Sequence, residues 1–217
     1  MTPPTIHASP SSPAEALAAV RTLAELNSMI AASAPGVPGG TRAVLGEGPL
    51  QPLLALVGEQ PGDQEDLQGH PFVGPAGQLL TRALSEAGVA RDACYVTNAV
   101  KHFKFVQRGK RRLHQKPTAG EVRHYRWWLK REIEIVRPRL TVALGATAVL
   151  ALAGKALPIA KCRGPATFDG APGFITVHPS YLLRIPDAAA KREAYVAFVA
   201  DLAAASARAH EITPGAV

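Results

Sequence analysis

The chain has 217 residues, 47% of them hydrophobic and 6% aromatic, with a formal net charge of +7. That length supports one domain with a core large enough to need neither metal nor disulfide, and the composition is that of a soluble globular protein. Cys94 and Cys162, the two cysteines of the sequence, give no metal-ligand spacing and no disulfide framework, which fits a reducing cytoplasm, and no apolar run approaches membrane-spanning length.

Residues 1–13 are rich in Pro, Ser and Thr. They lack the charged start and apolar centre of a signal peptide and are expected to be a disordered tail. A single domain is expected over 14–209, with a short tail at 210–217. Ala14 to Ala34 carries Leu17, Val20, Leu23 and Leu26 at helical spacing until Pro35-Gly-Val-Pro-Gly-Gly breaks it. Four apolar runs follow, Leu53–Gly58, Cys94–Val100, Leu140–Gly145 and Gly173–His178. Between and after them, Gly77–Ala87, Gly120–Val136, Ala146–Ala153 and Ala188–Ala209 read as helices. Alternation of this kind, with strands apolar throughout, predicts an α/β fold: a three-layer α/β/α sandwich on a central four-stranded, mostly parallel sheet. Ligands in such folds bind beyond the carboxyl ends of the strands.

The charge is unevenly spread. Lys101 to Arg139 holds 13 of the 24 Lys and Arg against Glu121, Glu132 and Glu134. Within it, Val106 to Thr118 groups Arg108, Lys110, Arg111, Arg112 and Lys116 around His114, between a Gly and a Pro. Five solvated cations and two breakers oppose a buried helix or strand, so an exposed loop with a positive field is expected. A polyanion suits that field. Nucleic acid leads, and an acidic membrane lacks the amphipathic basic helix that would support it. Taken alone, such a run is more often a solvated loop with an incidental histidine. Its position after the second strand end is what sets it apart.

Polar residues close each strand. Gly58-Glu-Gln-Pro-Gly-Asp makes a tight turn exposing Glu59, Gln60 and Asp63, without the pattern of a phosphate-binding loop. Phe72, in Pro71-Phe-Val-Gly-Pro-Ala-Gly, is either a plug on the core or a platform for a planar ring. Asn98 offers a donor and an acceptor together, which suits a pyrimidine edge, although capping a turn is as common a use. His178, in His178-Pro-Ser-Tyr-Leu-Leu-Arg, either bonds a neighbouring carbonyl or donates to a leaving group. Leu182 and Leu183 beside Arg184 read as apolar wedges next to a phosphate contact.

With these motifs in hand, Leu53 to Leu202 resembles the uracil-DNA glycosylase superfamily. The resemblance is to its X-type branch, through Gly58-Glu-Gln-Pro-Gly-Asp, Gly69-His-Pro-Phe-Val-Gly-Pro-Ala-Gly, Tyr95-Val-Thr-Asn-Ala-Val-Lys-His-Phe-Lys-Phe, Gly109-Lys-Arg-Arg-Leu-His, Leu144-Gly-Ala-Thr-Ala and His178-Pro-Ser-Tyr-Leu-Leu-Arg. An aliphatic-His ending on the basic loop marks that branch. The resemblance implies base flipping from uracil-containing DNA, single- or double-stranded, with uracil stacked on Phe72 and read by Asn98. It assigns Glu59, His114 and His178 as catalytic and Gln60, Asp63, Phe72 and Asn98 as substrate-binding. It implies Lys110, Arg111, Arg112, Ser180, Leu182 and Arg184 as DNA contacts.

In the X-type branch the loop histidine attacks the sugar in place of water and leaves a covalent adduct; the matching residue here is His114. Gln60 stands where some relatives carry a water-activating Asp, and an amide is no base. The alternatives are a turnover glycosylase with His114 as a DNA contact, and a module that holds a flipped base without cutting it. Relatives bind a [4Fe–4S] cluster through cysteines. This chain has none before Cys94 and carries Tyr125 where one would stand, so no cofactor is expected, with Tyr125, Trp127 and Trp128 filling the space. His102 and His124 lie near that region. A cytoplasmic monomer, away from membranes, is the default expectation.

Overall fold

The computed structural model describes residues 19–212. In chain order the elements are α1 (Leu23–Ala32), β1 (Leu54–Gly58), α2 (Asp63–Gln68), α3 (Pro75–Glu86), β2 (Tyr95–Asn98), β3 (Phe105–Arg108), β4 (Arg111–His114), α4 (Ala119–Val136), β5 (Leu140–Leu144), α5 (Ala146–Ala153), α6 (Ile159–Cys162), β6 (Gly164–Phe168), β7 (Ala171–Thr176), α7 (Pro179–Leu183) and α8 (Ala188–Glu211). The tails expected at 1–13 and beyond residue 212 lie outside the described residues, whereas residues 210 and 211 continue α8. The helix expected over Ala14–Ala34 is interrupted at Val20–Thr22. There the Thr22 side chain accepts from the Glu25 N–H and Glu25 accepts from the Thr22 N–H, a capping box that starts α1 afresh.

The sheet order is β2-β1-β5-β7-β6. Neighbours run parallel except β6 and β7, which form an antiparallel pair. The sheet therefore has five strands, not four. The additional one, β6, is an edge strand whose exposure alternates and whose sequence, Gly-Pro-Ala-Thr-Phe, contains a proline. Proline is tolerated at an edge and gives no continuous apolar signal.

Alternate residues of each central strand feed two cores, as period-two geometry requires. Leu54, Leu56, Val142 and Leu144 face α3, α7 and α8 through Leu80, Leu84, Leu182, Phe198 and Leu202. Val57, Ala143 and Ile175 face α4 and α5 through Val122, Leu129, Val149 and Leu152. Each fully buried Leu or Val contributes about 1.5–3 kcal/mol. The result is a rigid central layer with helices on both sides.

The chain leaves β1 toward β2 on one side and later returns to β5 on the other. That reversal opens a crevice between the carboxyl ends of β1 and β5, where doubly wound sheets bind ligands. No helix among the described residues is long and apolar enough to cross a membrane.

Candidate active site

A cleft of about 970 Å³ occupies this crevice, lined among others by Glu59, Phe72, Asn98, His114, His178 and Arg184. The five sequence-predicted rim side chains thus meet in one place with Arg184. Glu59 follows β1, and its Oε2 accepts from Thr147 Oγ1 of α5 at 2.6 Å, so the carboxylate bridges the β1–β5 crevice. Its Oε1 lies 3.5 Å from His114 Nε2.

Asn98 ends β2 and is 2% exposed. Its Nδ2 is buried without a hydrogen-bond partner. An unpaired buried donor costs about 1–3 kcal/mol, so its persistence calls for something to receive it. Phe72 forms the adjacent wall. Its backbone is left-handed, with φ 58°, and is held by its N–H donating to Glu65 Oε1 at 2.6 Å. Gly77 packs directly against the Phe72 backbone, where any Cβ would collide. Gly58 is likewise closed in by Asn98 and the Phe72 ring. These glycines let sheet and loop approach closely enough to form a narrow slot.

His178 is the N-cap of α7. Its Nδ1 lies 3.2 Å from the Ser180 backbone N–H and 2.8 Å from Ser180 Oγ. A backbone N–H can only donate, so Nδ1 accepts and the ring proton resides on Nε2. Burial pushes its pKa down to about 4, with Glu59 pulling the other way and Arg184 and His114 adding to the fall. The imidazole is therefore neutral and an Nε2–H donor. His114 is also held below the ordinary histidine range, by burial first and by Arg184, against the raising effect of Glu59.

The basic segment is exposed as expected, yet it is a β-hairpin rather than a loop. β3 and β4 pair antiparallel, Phe105 opposite His114 and Arg108 opposite Arg111. Gly109, the first of two turn residues, has φ 58°, the sign a type II′ hairpin turn needs there. Alternation sends Phe105, Gln107, Arg112 and His114 to one face and Val106, Arg108, Arg111 and Leu113 to the other. Charge repulsion does not forbid strands whose outer face and turn are in water.

Several assigned residues serve elsewhere. Arg112 is drawn inward: its Nε meets Asp63 Oδ1 at 2.6 Å and its Nη1 meets buried Asp66 Oδ2 at 2.5 Å. Its guanidinium also covers the rings of Phe103 and Phe105. Arg112 and Asp63 are thus occupied with each other, outside the cleft lining, instead of facing DNA and substrate. Gln60 lines the cleft, but its amide is spent on Lys104 and Gln115, accepting from the Lys104 N–H and donating to both carbonyls. It ties together the two roots of the hairpin.

Leu182 is fully buried, so the exposed apolar side chains of that segment are Tyr181 and Leu183. Ser180 Oγ lies between His178 Nδ1 and Arg184 Nη1. Lys110 and Arg111 stand exposed at the hairpin turn with no acidic partner among the described residues. Lys116, from the basic run, also lines the cleft. Asp66 and Glu65, which support these groups, were not singled out in the sequence because a supporting carboxylate looks like any polar surface residue; Thr147 stood in the Leu144-Gly-Ala-Thr-Ala motif without a role of its own.

The donor set does not fit an iron–sulfur cluster. Four thiolates are the usual requirement, and the sequence holds two cysteines. Cys94 is buried, donates to the Ala90 carbonyl, and has its thiol pushed up to about 11 by burial. Tyr125 accepts from the Gly36 N–H at 2.7 Å and meets His102 Nδ1 at 2.8 Å. His124 packs edge-on to the Tyr125 ring. Trp127 and Trp128 pack against α1.

Residues 45–203 match the family described as the uracil DNA glycosylase superfamily. Over 147 residues, 66% of this chain and 73% of its counterpart, the sequence is 44% identical to a type-4 uracil-DNA glycosylase of Thermotoga maritima. It is 39% identical over 153 residues, 66% of the chain and 74% of the other, to a type-4 uracil-DNA glycosylase of Pyrobaculum aerophilum. A third, from Archaeoglobus fulgidus, is 40% identical over 105 residues, covering 48% of the chain and 49% of that protein.

Proposed function

Since this chain belongs to the uracil-DNA glycosylase superfamily, we propose that it excises uracil from DNA and is then captured on the abasic sugar through His114, as in the X-type branch. The observation that carries the first half is the buried, unpartnered Asn98 Nδ2 beside Phe72 and His178. A uracil turned out of the helix stacks on Phe72 and satisfies that donor with its O4, while Asn98 Oδ1 accepts from N3–H. The His178 Nε2–H donates to O2 as the C1′–N1 bond breaks and both its electrons leave with the base. Such a donor contributes most where charge develops, about 10²–10³ in rate. Glu59 places a carboxylate against the cationic sugar.

Capture by His114 is supported by its place beside Glu59 and by its suppressed protonation. The lone pair of a neutral imidazole nitrogen forms the new bond to C1′, and the imidazolium then releases its other ring proton to water. Gln60 cannot activate water, because its amide is no base and is already committed to the hairpin. Lys110, Arg111 and Arg184 supply the positive field for the DNA backbone. The reading needs no cluster, in keeping with the donor set, and requires one copy of the chain.

The test is a labelled uracil-containing oligonucleotide run on a denaturing gel. A retarded band that survives heat and detergent is expected, together with released uracil. His114→Ser should abolish the band while uracil release continues. A band that persists in that variant rules out His114; release without a band in the wild type leaves a turnover glycosylase.

A further inference from the structure

Beneath the cleft lies a polar network of Tyr95, Thr97, Lys101 and Glu132, none of which lines it. Lys101 is fully buried, and its Nζ meets three acceptors: Thr97 Oγ1 at 2.6 Å, the Asn98 carbonyl at 3.0 Å and Glu132 Oε2 at 2.5 Å. Glu132, equally buried on α4, accepts through Oε1 from Tyr95 OH at 2.8 Å and Thr97 Oγ1 at 3.0 Å. All three ammonium donors are satisfied. The Lys101 carbonyl accepts from the Val44 N–H at 2.8 Å, and the next residue, His102, is fastened to Tyr125 on the same helix. Residues 98–104 are thus bolted to α4 from below. From above they are laid along β1, the Ala99 N–H donating to Gly58 and the Val100 N–H to Glu59.

A buried ion pair is weak as a source of stability, because desolvation offsets its attraction, and an apolar pair of the same volume is often as good. What the network supplies is location. It holds the carbonyl of the residue whose amide floors the cleft, and the connector that ends at the root of the His114 hairpin. We propose that Lys101 and Glu132 are positioning residues for uracil removal, acting through Asn98 and the 98–104 connector. This rests on the uracil reading of the cleft.

The experiment is single-turnover uracil release from a uracil-containing oligonucleotide, giving a maximal rate and a half-saturating concentration for the full chain. Lys101→Met combined with Glu132→Gln removes both charges at nearly constant volume and leaves an acceptor for Tyr95 and Thr97. The maximal rate is expected to fall by about tenfold to a hundredfold, as small displacements of reacting groups do, with half-saturation changed less than about threefold. Ile30→Ala, in the α1 core away from the cleft, is the control for lost stability. It should lower the melting temperature and keep the rate. A folded double variant slowed by less than about fivefold, or an Ile30→Ala variant slowed as much as the pair, overturns the proposal. Should the double variant not fold, Glu132→Asp, which retracts the carboxylate by one methylene, is read against the same threshold. A wild type that releases no uracil overturns the reading of the cleft itself, and this proposal with it.

Discussion

The cleft floor and the hairpin are built on opposite terms. On the floor, Asn98 and the strand ends behind it are locked by the sheet ladder, two apolar cores and the Lys101–Glu132 network. The hairpin has mostly exposed residues, and the side chains that fasten it to the body include Arg112 at its middle and Gln60 at its roots. On the proposed reading, base recognition and bond breaking draw on the first region and capture on the second. A rigid floor suits groups that must meet a leaving base within a fraction of an ångström. A separately anchored arm can bring a nucleophile without disturbing them.

The sharpest way to break this division is at His178. His178→Ala should lower uracil release by about 10²–10³, because it removes the donor proposed for the departing base. A loss under tenfold in single-turnover rate would move that role elsewhere. The pH profile tests the same residue. Its pKa is depressed to about 4 by burial, so the unfolded chain takes up its proton before the folded one does. The stability contributed by neutral His178 is complete above the ordinary imidazole range and is lost as pH falls from about 6.5 toward 4. Uracil release should accordingly persist through pH 6 and fail only as pH approaches 4.

Next in size is the arm. Arg112→Ala breaks two charge-assisted contacts, each worth about 1.5–3 kcal/mol, and strands Asp66. Adduct yield on the denaturing gel should drop severalfold while uracil release changes little. Equal losses in both would show that floor and arm act as one unit. Gln60→Ala should act in the same direction and less strongly. The smallest effect belongs to Lys110 and Arg111. Replacing each by Ala should reduce the slope of log affinity against log salt by about one, measured by titration with single-stranded and duplex oligonucleotides.

The two regions also differed in how far they could be read from sequence. β1, β2, β5 and β7 announce themselves as apolar runs closed by polar residues, because a strand buried on both faces has no alternative composition. That placed Glu59, Asn98 and His178 on one rim. β6 and the hairpin escaped recognition for the complementary reason: each has one face in water. Leu182 and Leu183 look alike in sequence, and only the packing of α7 against α3 decides which is buried. Arg112 and Arg111 are adjacent identical residues, and the strand pleat alone separates the clamp from the outward cation.

The capping of α7 has a consequence for inheritance of the active form. Because a main-chain N–H meets His178 Nδ1, the ring's proton address is written in the backbone trace. Exchanging Ser180 for alanine would strip a hydroxyl from Arg184 and leave that address unchanged. A lineage could therefore vary the Arg184 anchorage at residue 180 without rewriting the group proposed to donate to the leaving base.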